Sequence, residues 1–124
     1  LGLPPRCAAA ELDVRTLALA SEAPTAMTPF STYPHAASDI ALVMSRSVPA
    51  AAVEAALRAG AGDHLESVTL FDVYEGPQLG ADEKSLAYRL TFRAMDKTLT
   101  TAEVNAARDA AVAEAVRAVG AVQR

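Results

Sequence analysis

Tryptophan is missing from this 124-residue chain, aromatic residues make up only 5 %, and there is a single cysteine, Cys7. One cysteine cannot form a disulfide within the chain, and two histidines far apart, His35 and His64, cannot build a four-ligand zinc site, so no metal ligands are expected. No apolar run approaches the roughly 20 residues that span a bilayer, and the start lacks a charged segment followed by an apolar block. The expectation is a soluble, cytoplasmic protein. Positive charge is also short: 11 Lys and Arg against 15 Asp and Glu give a net charge of −4. That excludes non-specific gripping of nucleic acid through overall charge, which needs many cation–phosphate contacts. The chain starts at Leu1 and not at Met, as expected of a processed form or a piece of something longer.

What is present is alanine. Of the 52 % hydrophobic residues, 29 are Ala and 35 are larger, which predicts a modest core built mainly from Leu and Val in one domain. Residues 1–28 read as a short strand-like piece, Ala10-Glu11-Leu12-Asp13-Val14, and a linker without periodicity. The prolines of Pro29-Phe30-Ser31-Thr32-Tyr33-Pro34 force extended backbone, and the compact domain is placed at 29–124. Asp39 to Ser45 alternates, with Ile40, Leu42 and Met44 on one face. Pro49 suits a first helical turn, a helix is expected over Ala50 to Ala59, and Gly60 and Gly62 are expected to stop it.

Leu65 to Tyr74 is apolar, but its alternation slips between Leu70 and Phe71, which predicts a bulge. Beyond the slip, Phe71 and Val73 are expected on one face, Asp72 and Tyr74 on the other. Ser85 to Ala94 alternates throughout, with Leu86, Tyr88, Leu90 and Phe92 opposite Ser85, Ala87, Arg89, Thr91 and Arg93. Thr100-Thr101-Ala102-Glu103 fits a capping box, a helix should run on to about Ala118, and Gly120 should end it. Ala121 to Arg124 is long enough for a last short strand. The order is β-α-β-β-α-β: an α+β, ferredoxin-like fold with a four-stranded antiparallel sheet and two helices on one face. The other sheet face is then open, and by parity it carries Ala41, Asp72, Tyr74, Ser85, Ala87, Arg89, Thr91 and Arg93.

Catalysis finds no support in the residues, and no catalytic site is expected. Gly60-Ala61-Gly62 follows a helix, whereas phosphate-binding glycine loops precede one. Nothing brings Cys7 to His35 or His64 as nucleophile and base. Asp72, Glu75, Asp82 and Glu83 read as solvated loop charges without an acid–base partner. Residues 84–97 are different, because Lys84, Arg89, Arg93 and Lys97 against Asp96 alone carry a local +3 within the chain's −4. Arginines pair well with phosphates and an aromatic such as Tyr74 can stack a base. The same arginines can equally be the wet side of a half-buried sheet.

Three strings then carry a resemblance: Leu65-Glu66-Ser67-Val68-Thr69-Leu70-Phe71-Asp72-Val73-Tyr74-Glu75-Gly76, Lys84-Ser85-Leu86-Ala87-Tyr88-Arg89-Leu90-Thr91-Phe92-Arg93, and Thr98-Leu99-Thr100 with Glu103-Val104-Asn105. Across about residues 29–124 the chain resembles the ferredoxin-fold anticodon-binding domain that closes the β chain of bacterial phenylalanine–tRNA ligases. Leu3-Pro4-Pro5-Arg6 and Ala10 to Val14 are similar to the last strand and exit linker of the catalytic-like module before it. The resemblance implies binding of the phenylalanine tRNA anticodon stem-loop, with a base against Ala41, Asp72, Tyr74 and Ser85. Phosphate contacts from Lys84, Arg89 and Arg93 are expected from charge. Acidic Asp72 fits only as an acceptor of base N–H or 2′-OH donors. The resemblance also implies the rest of the β chain and an α subunit as partners in an α2β2 heterotetramer. No cofactor is implied for this segment, while ATP and Mg²⁺ belong to the whole enzyme. Where that family usually has Arg before the Asp of its first strand, this chain has Ser38, so one basic contact or ion pair is missing.

A competing expectation is a protein-interaction or regulatory module of ferredoxin-like shape without RNA binding, since this fold hosts many functions. A small-molecule effector domain would need Gly-rich turns, which Ser47-Val48-Pro49 and Met95-Asp96-Lys97 do not supply.

Overall fold

The computed structural model describes residues 7–21, 27 and 29–124. Its elements are α1 (Val14–Ser21), β1 (Ala36–Ser45), α2 (Ala50–Ala61), β2 (Leu65–Tyr74), β3 (Glu83–Phe92), α3 (Thr101–Val119) and β4 (Val122–Gln123). The four strands form one antiparallel sheet in the order β2-β3-β1-β4. From β1 onward this is the ferredoxin-like order expected from the pattern.

The alternation of β1 and β3 sets the two faces. Ile40, Leu42 and Met44 of β1 and Leu86, Tyr88, Leu90 and Phe92 of β3 are buried, and they meet Val53, Ala56 and Leu57 of α2 and Val104, Ala111, Val112 and Ala115 of α3. Burying a side chain of Leu or Phe size stabilises by about 1.5–3 kcal/mol, so these two central strands carry most of the fold. Strand β2 adds only Val68 to the buried set. The Tyr88 hydroxyl donates to the Ala50 carbonyl at 3.1 Å, which ties the start of α2 to the sheet. Burial, with a smaller contribution from the charge of Glu54, pushes that phenol up to about 12.

Helix α3 opens with the capping box: the Thr100 hydroxyl accepts from the Glu103 amide, and the Glu103 carboxylate accepts from the Thr100 amide at 2.8 Å. It ends at Gly120, left-handed at φ 66°. Helix α2 ends at Gly62, also at positive φ. Gly60 departs from the expected helix stop, because it lies inside α2, where a Cβ would stand 2.6 Å from the Ala110 carbonyl oxygen and from the Glu114 Cβ. Its role is to let α2 and α3 approach closely. Pro49 stands at the N-cap, one position before the first helical residue.

The N-terminal expectation fails where it can be checked. Val14–Ser21 is a helix, capped by Asp13, whose carboxylate accepts from the Thr16 amide at 2.7 Å; this bond lowers the Asp13 pKa. A side-chain oxygen that satisfies an orphan helix amide outweighs a five-residue alternation. Leu3 to Arg6 lie outside the described residues.

Candidate nucleic-acid interface

The face of the sheet away from α2 and α3 is assembled by register. Ala41 stands opposite Ala87 across β1 and β3, while Asp72 is opposite Ala87 and Tyr74 opposite Ser85 across β2 and β3. The ladder shifts between Leu70 and Asp72, at the slip in the sequence pattern. Without that extra residue Asp72 and Tyr74 would turn to the helix face, because a one-residue slip reverses every side chain beyond it. A second shift, between Leu65 and Ser67, has no counterpart in the sequence reading.

Ala41, Asp72, Tyr74, Gln78, Ser85, Ala87 and Arg124 together line a depression of about 350 Å³ on this face. Its floor is small, with Ala41, Ala87 and the buried Ser85. Tyr74 forms a wall, and its ring lies over Gly76 so closely that a Cβ there would overlap the hydroxyl and the ring edge. Gly76 also begins a turn closed by the Leu79 amide on its carbonyl at 3.0 Å. The turn sets Gln78 over the floor, where its side-chain oxygen accepts from Arg124 Nη2 at 2.9 Å. A planar ring, a carboxylate acceptor, a hydroxyl and a guanidinium around an apolar floor suit a nucleotide: stacking area, base-edge or 2′-OH acceptors, and a cation for phosphate.

All four residues carried by the resemblance, Ala41, Asp72, Tyr74 and Ser85, meet in this depression. The three cations expected from charge do not. Lys84 shares the Leu86 face of β3 and donates to the Arg46 carbonyl at 3.1 Å. Arg89 is on the open face but is forked onto Asp39, with both bonds at 2.8 Å. That fork lowers the Asp39 pKa and raises that of Arg89. Arg93 follows the end of β3, pairs with Glu66 and donates to the carbonyls of Ser31 and Tyr33. It lines another hollow, with Pro29, Phe30 and Met95.

Phe71 also departs from expectation. At the bulge its ring comes under the Arg89 guanidinium, 5.6 Å from centroid to carbon, and therefore reaches the open face beside the ion pair. Ser38 shares the helix face with Leu90 and lines a hollow with Leu99, Thr101 and Asn105. The missing arginine at that position therefore takes nothing from the open face. Gln78 and Arg124 are the depression residues the sequence reading missed. A loop glutamine and a residue beyond a two-residue strand carry no periodic signal.

A family model described as the ferredoxin-fold anticodon binding domain matches residues 31–124. The chain belongs to that family. The phenylalanine–tRNA ligase β subunit of Streptomyces avermitilis is 56 % identical over all 124 residues, which cover 15 % of that subunit. The corresponding subunit of Thermobifida fusca is 57 % identical over 123 residues, 99 % of this chain and 15 % of the subunit. That of Nocardia farcinica is 54 % identical over 123 residues, 99 % of this chain and 14 % of the subunit. The chain thus spans about 15 % of the length of these relatives. Among the described residues no group of three His, Cys, Asp or Glu is placed to hold a metal, and no helix is long and apolar enough to cross a membrane.

Proposed function

We propose that this domain binds the anticodon stem-loop of phenylalanine tRNA on its open sheet face, as a part of a phenylalanine–tRNA ligase β chain. The observation that carries the reading is the convergence of Ala41, Asp72, Tyr74 and Ser85 in one depression. A base stacks on the Tyr74 ring above the alanine floor, while Asp72 accepts from base N–H or ribose hydroxyl donors and Ser85 adds a hydrogen bond. Its partners are the rest of the β chain and an α subunit in an α2β2 heterotetramer of the cytoplasm. ATP and Mg²⁺ act in aminoacylation elsewhere in that enzyme.

Titrating the 124-residue chain with a fluorescently labelled anticodon stem-loop tests this. Tyr74→Ala is expected to weaken binding by about 1–3 kcal/mol, the worth of one base–aromatic stack. Equal affinity of the two proteins overturns the proposal. Binding of a protein partner in place of RNA would instead be insensitive to the stem-loop altogether.

A further inference from the structure

The arginines of this domain are almost all spoken for by acids. Arg46 meets Glu75, Arg58 meets Glu54, Arg89 meets Asp39, Arg93 meets Glu66, Arg108 meets Asp109 and Arg117 meets Glu114. Arg124 is different: its guanidinium is held by the neutral amide of Gln78. Among the described residues it is the one cation lining the depression, and its charge there is not cancelled by an ion pair. Asp72 supplies the one carboxylate of the same lining.

Its position is fixed at both ends. The Arg124 amide donates to the Ala41 carbonyl at 3.0 Å, directly beside the floor, after Val122 and Gln123 have paired with β1. The side chain then reaches Gln78 in the turn that closes on Gly76. A guanidinium carries five N–H donors, and one is spent on Gln78. An oriented fork that makes no ion pair among the described residues and keeps four donors unspent suits a phosphate oxygen pair, because charge-assisted bidentate contacts are the strong ones.

We propose that Arg124 is the phosphate-binding residue of this depression and that Gln78 is its positioning residue. Arg124 takes a phosphate of the nucleotide whose base lies on Tyr74. The inference rests on the RNA-binding reading above, and it gives a phosphate role to Arg124, which lines the depression as Lys84, Arg89 and Arg93 do not.

The test measures stem-loop affinity of the 124-residue chain at several salt concentrations between about 50 and 200 mM, for the wild type, Arg124→Gln, Arg124→Lys, Gln78→Leu and Tyr74→Ala. Loss of one phosphate contact lowers the steepness of the log–log salt dependence by about 0.7 for a single-stranded site. Arg124→Gln is expected to show that loss together with about tenfold weaker binding. Arg124→Lys keeps the charge and the slope. Gln78→Leu keeps the slope and binds a few-fold more weakly, because the charge remains but is no longer aimed. Tyr74→Ala weakens binding at unchanged slope. If Arg124→Gln keeps the wild-type slope while Tyr74→Ala still weakens binding, the assignment of Arg124 is wrong and the RNA-binding reading stands. If the wild type does not bind the stem-loop, both fall.

Discussion

Tyr74 owes its place to a residue with no side chain. Its ring lies against Gly76, and any Cβ at that position occupies the space of the hydroxyl and ring edge. The displaced atoms are the far end of a rotatable side chain at the surface, so relief comes from moving the ring and costs the fold little. Gly76→Ala is therefore expected to shift the urea midpoint only slightly, within the roughly ±0.5 kcal/mol of ordinary surface substitutions. Binding should suffer more, since the stacking surface turns away from the depression. A stem-loop affinity equal to wild type, with a crystal structure or nuclear Overhauser data showing the ring displaced, would mean that the ring's orientation is irrelevant to binding. A large loss of stability would instead mean that the turn cannot relax.

At the scale of the element, α3 depends on its first turn. Its buried residues, Val104, Ala111, Val112 and Ala115, are all small, so packing of large side chains contributes less here than in β3. The Glu103 carboxylate is held by Lys97, then by the Thr100 amide and hydroxyl, and its pKa falls from 4.5 to about 2. A depressed carboxylate pKa means the native state holds the proton less well than the unfolded chain. The stabilisation is therefore complete above about pH 4.5 and is lost as pH falls towards 2. Comparing thermal midpoints of wild type and Glu103→Gln from pH 7 to pH 2 should show a gap that is constant down to about 4.5 and then closes. A gap independent of pH would remove the carboxylate from the cap. The capping box was readable in the sequence because its four residues carry their bonds locally. The alternation of β1 and β3 was readable because each strand packs one face on two helices, and the slip at Leu70 and Phe71 was readable because two bulky neighbours cannot share a face. Other features rest on partners distant in the chain. Gly60 looks like a helix stop until α3 is laid against it. Asp13 is the exception: its bond to the Thr16 amide is as local as a capping box, but the alternation of Ala10 to Val14 masks it. The candidate site divides the same way: strand positions Ala41, Asp72, Tyr74 and Ser85 follow from parity together with family likeness, whereas the fates of Arg89 and Arg93 depend on which carboxylate a neighbouring strand presents. Asp39 and Glu66 neutralise Arg89 and Arg93 across strands, so a local run of positive charge did not become a positive surface.

For the whole molecule the question is where the folding and binding unit begins. Helix α1 buries none of its residues, and Val14 and Leu19 are 77 % and 64 % exposed. Ser31, by contrast, is buried, with its hydroxyl donating to the Ala94 carbonyl at 2.6 Å, and Arg93 donates to the carbonyls of Ser31 and Tyr33. Contacts that hold the sheet thus start at Ser31, which is also where the family match starts. Every residue lining the depression lies beyond that point as well. A chain of residues 29–124 should therefore have the urea midpoint of the 124-residue chain and bind the stem-loop with the same affinity and salt slope, because hydrophobic burial and the phosphate contact are both retained. Starting the chain at residue 35 should lower the midpoint, since the Ala94 carbonyl loses the Ser31 hydroxyl and the Arg93 guanidinium loses two carbonyls, at about 0.5–1.5 kcal/mol for each lost hydrogen bond. If removing residues 1–28 alone lowers stability or affinity, then α1 or its flanks pack on the domain or touch the RNA, and the binding unit must be drawn to include them.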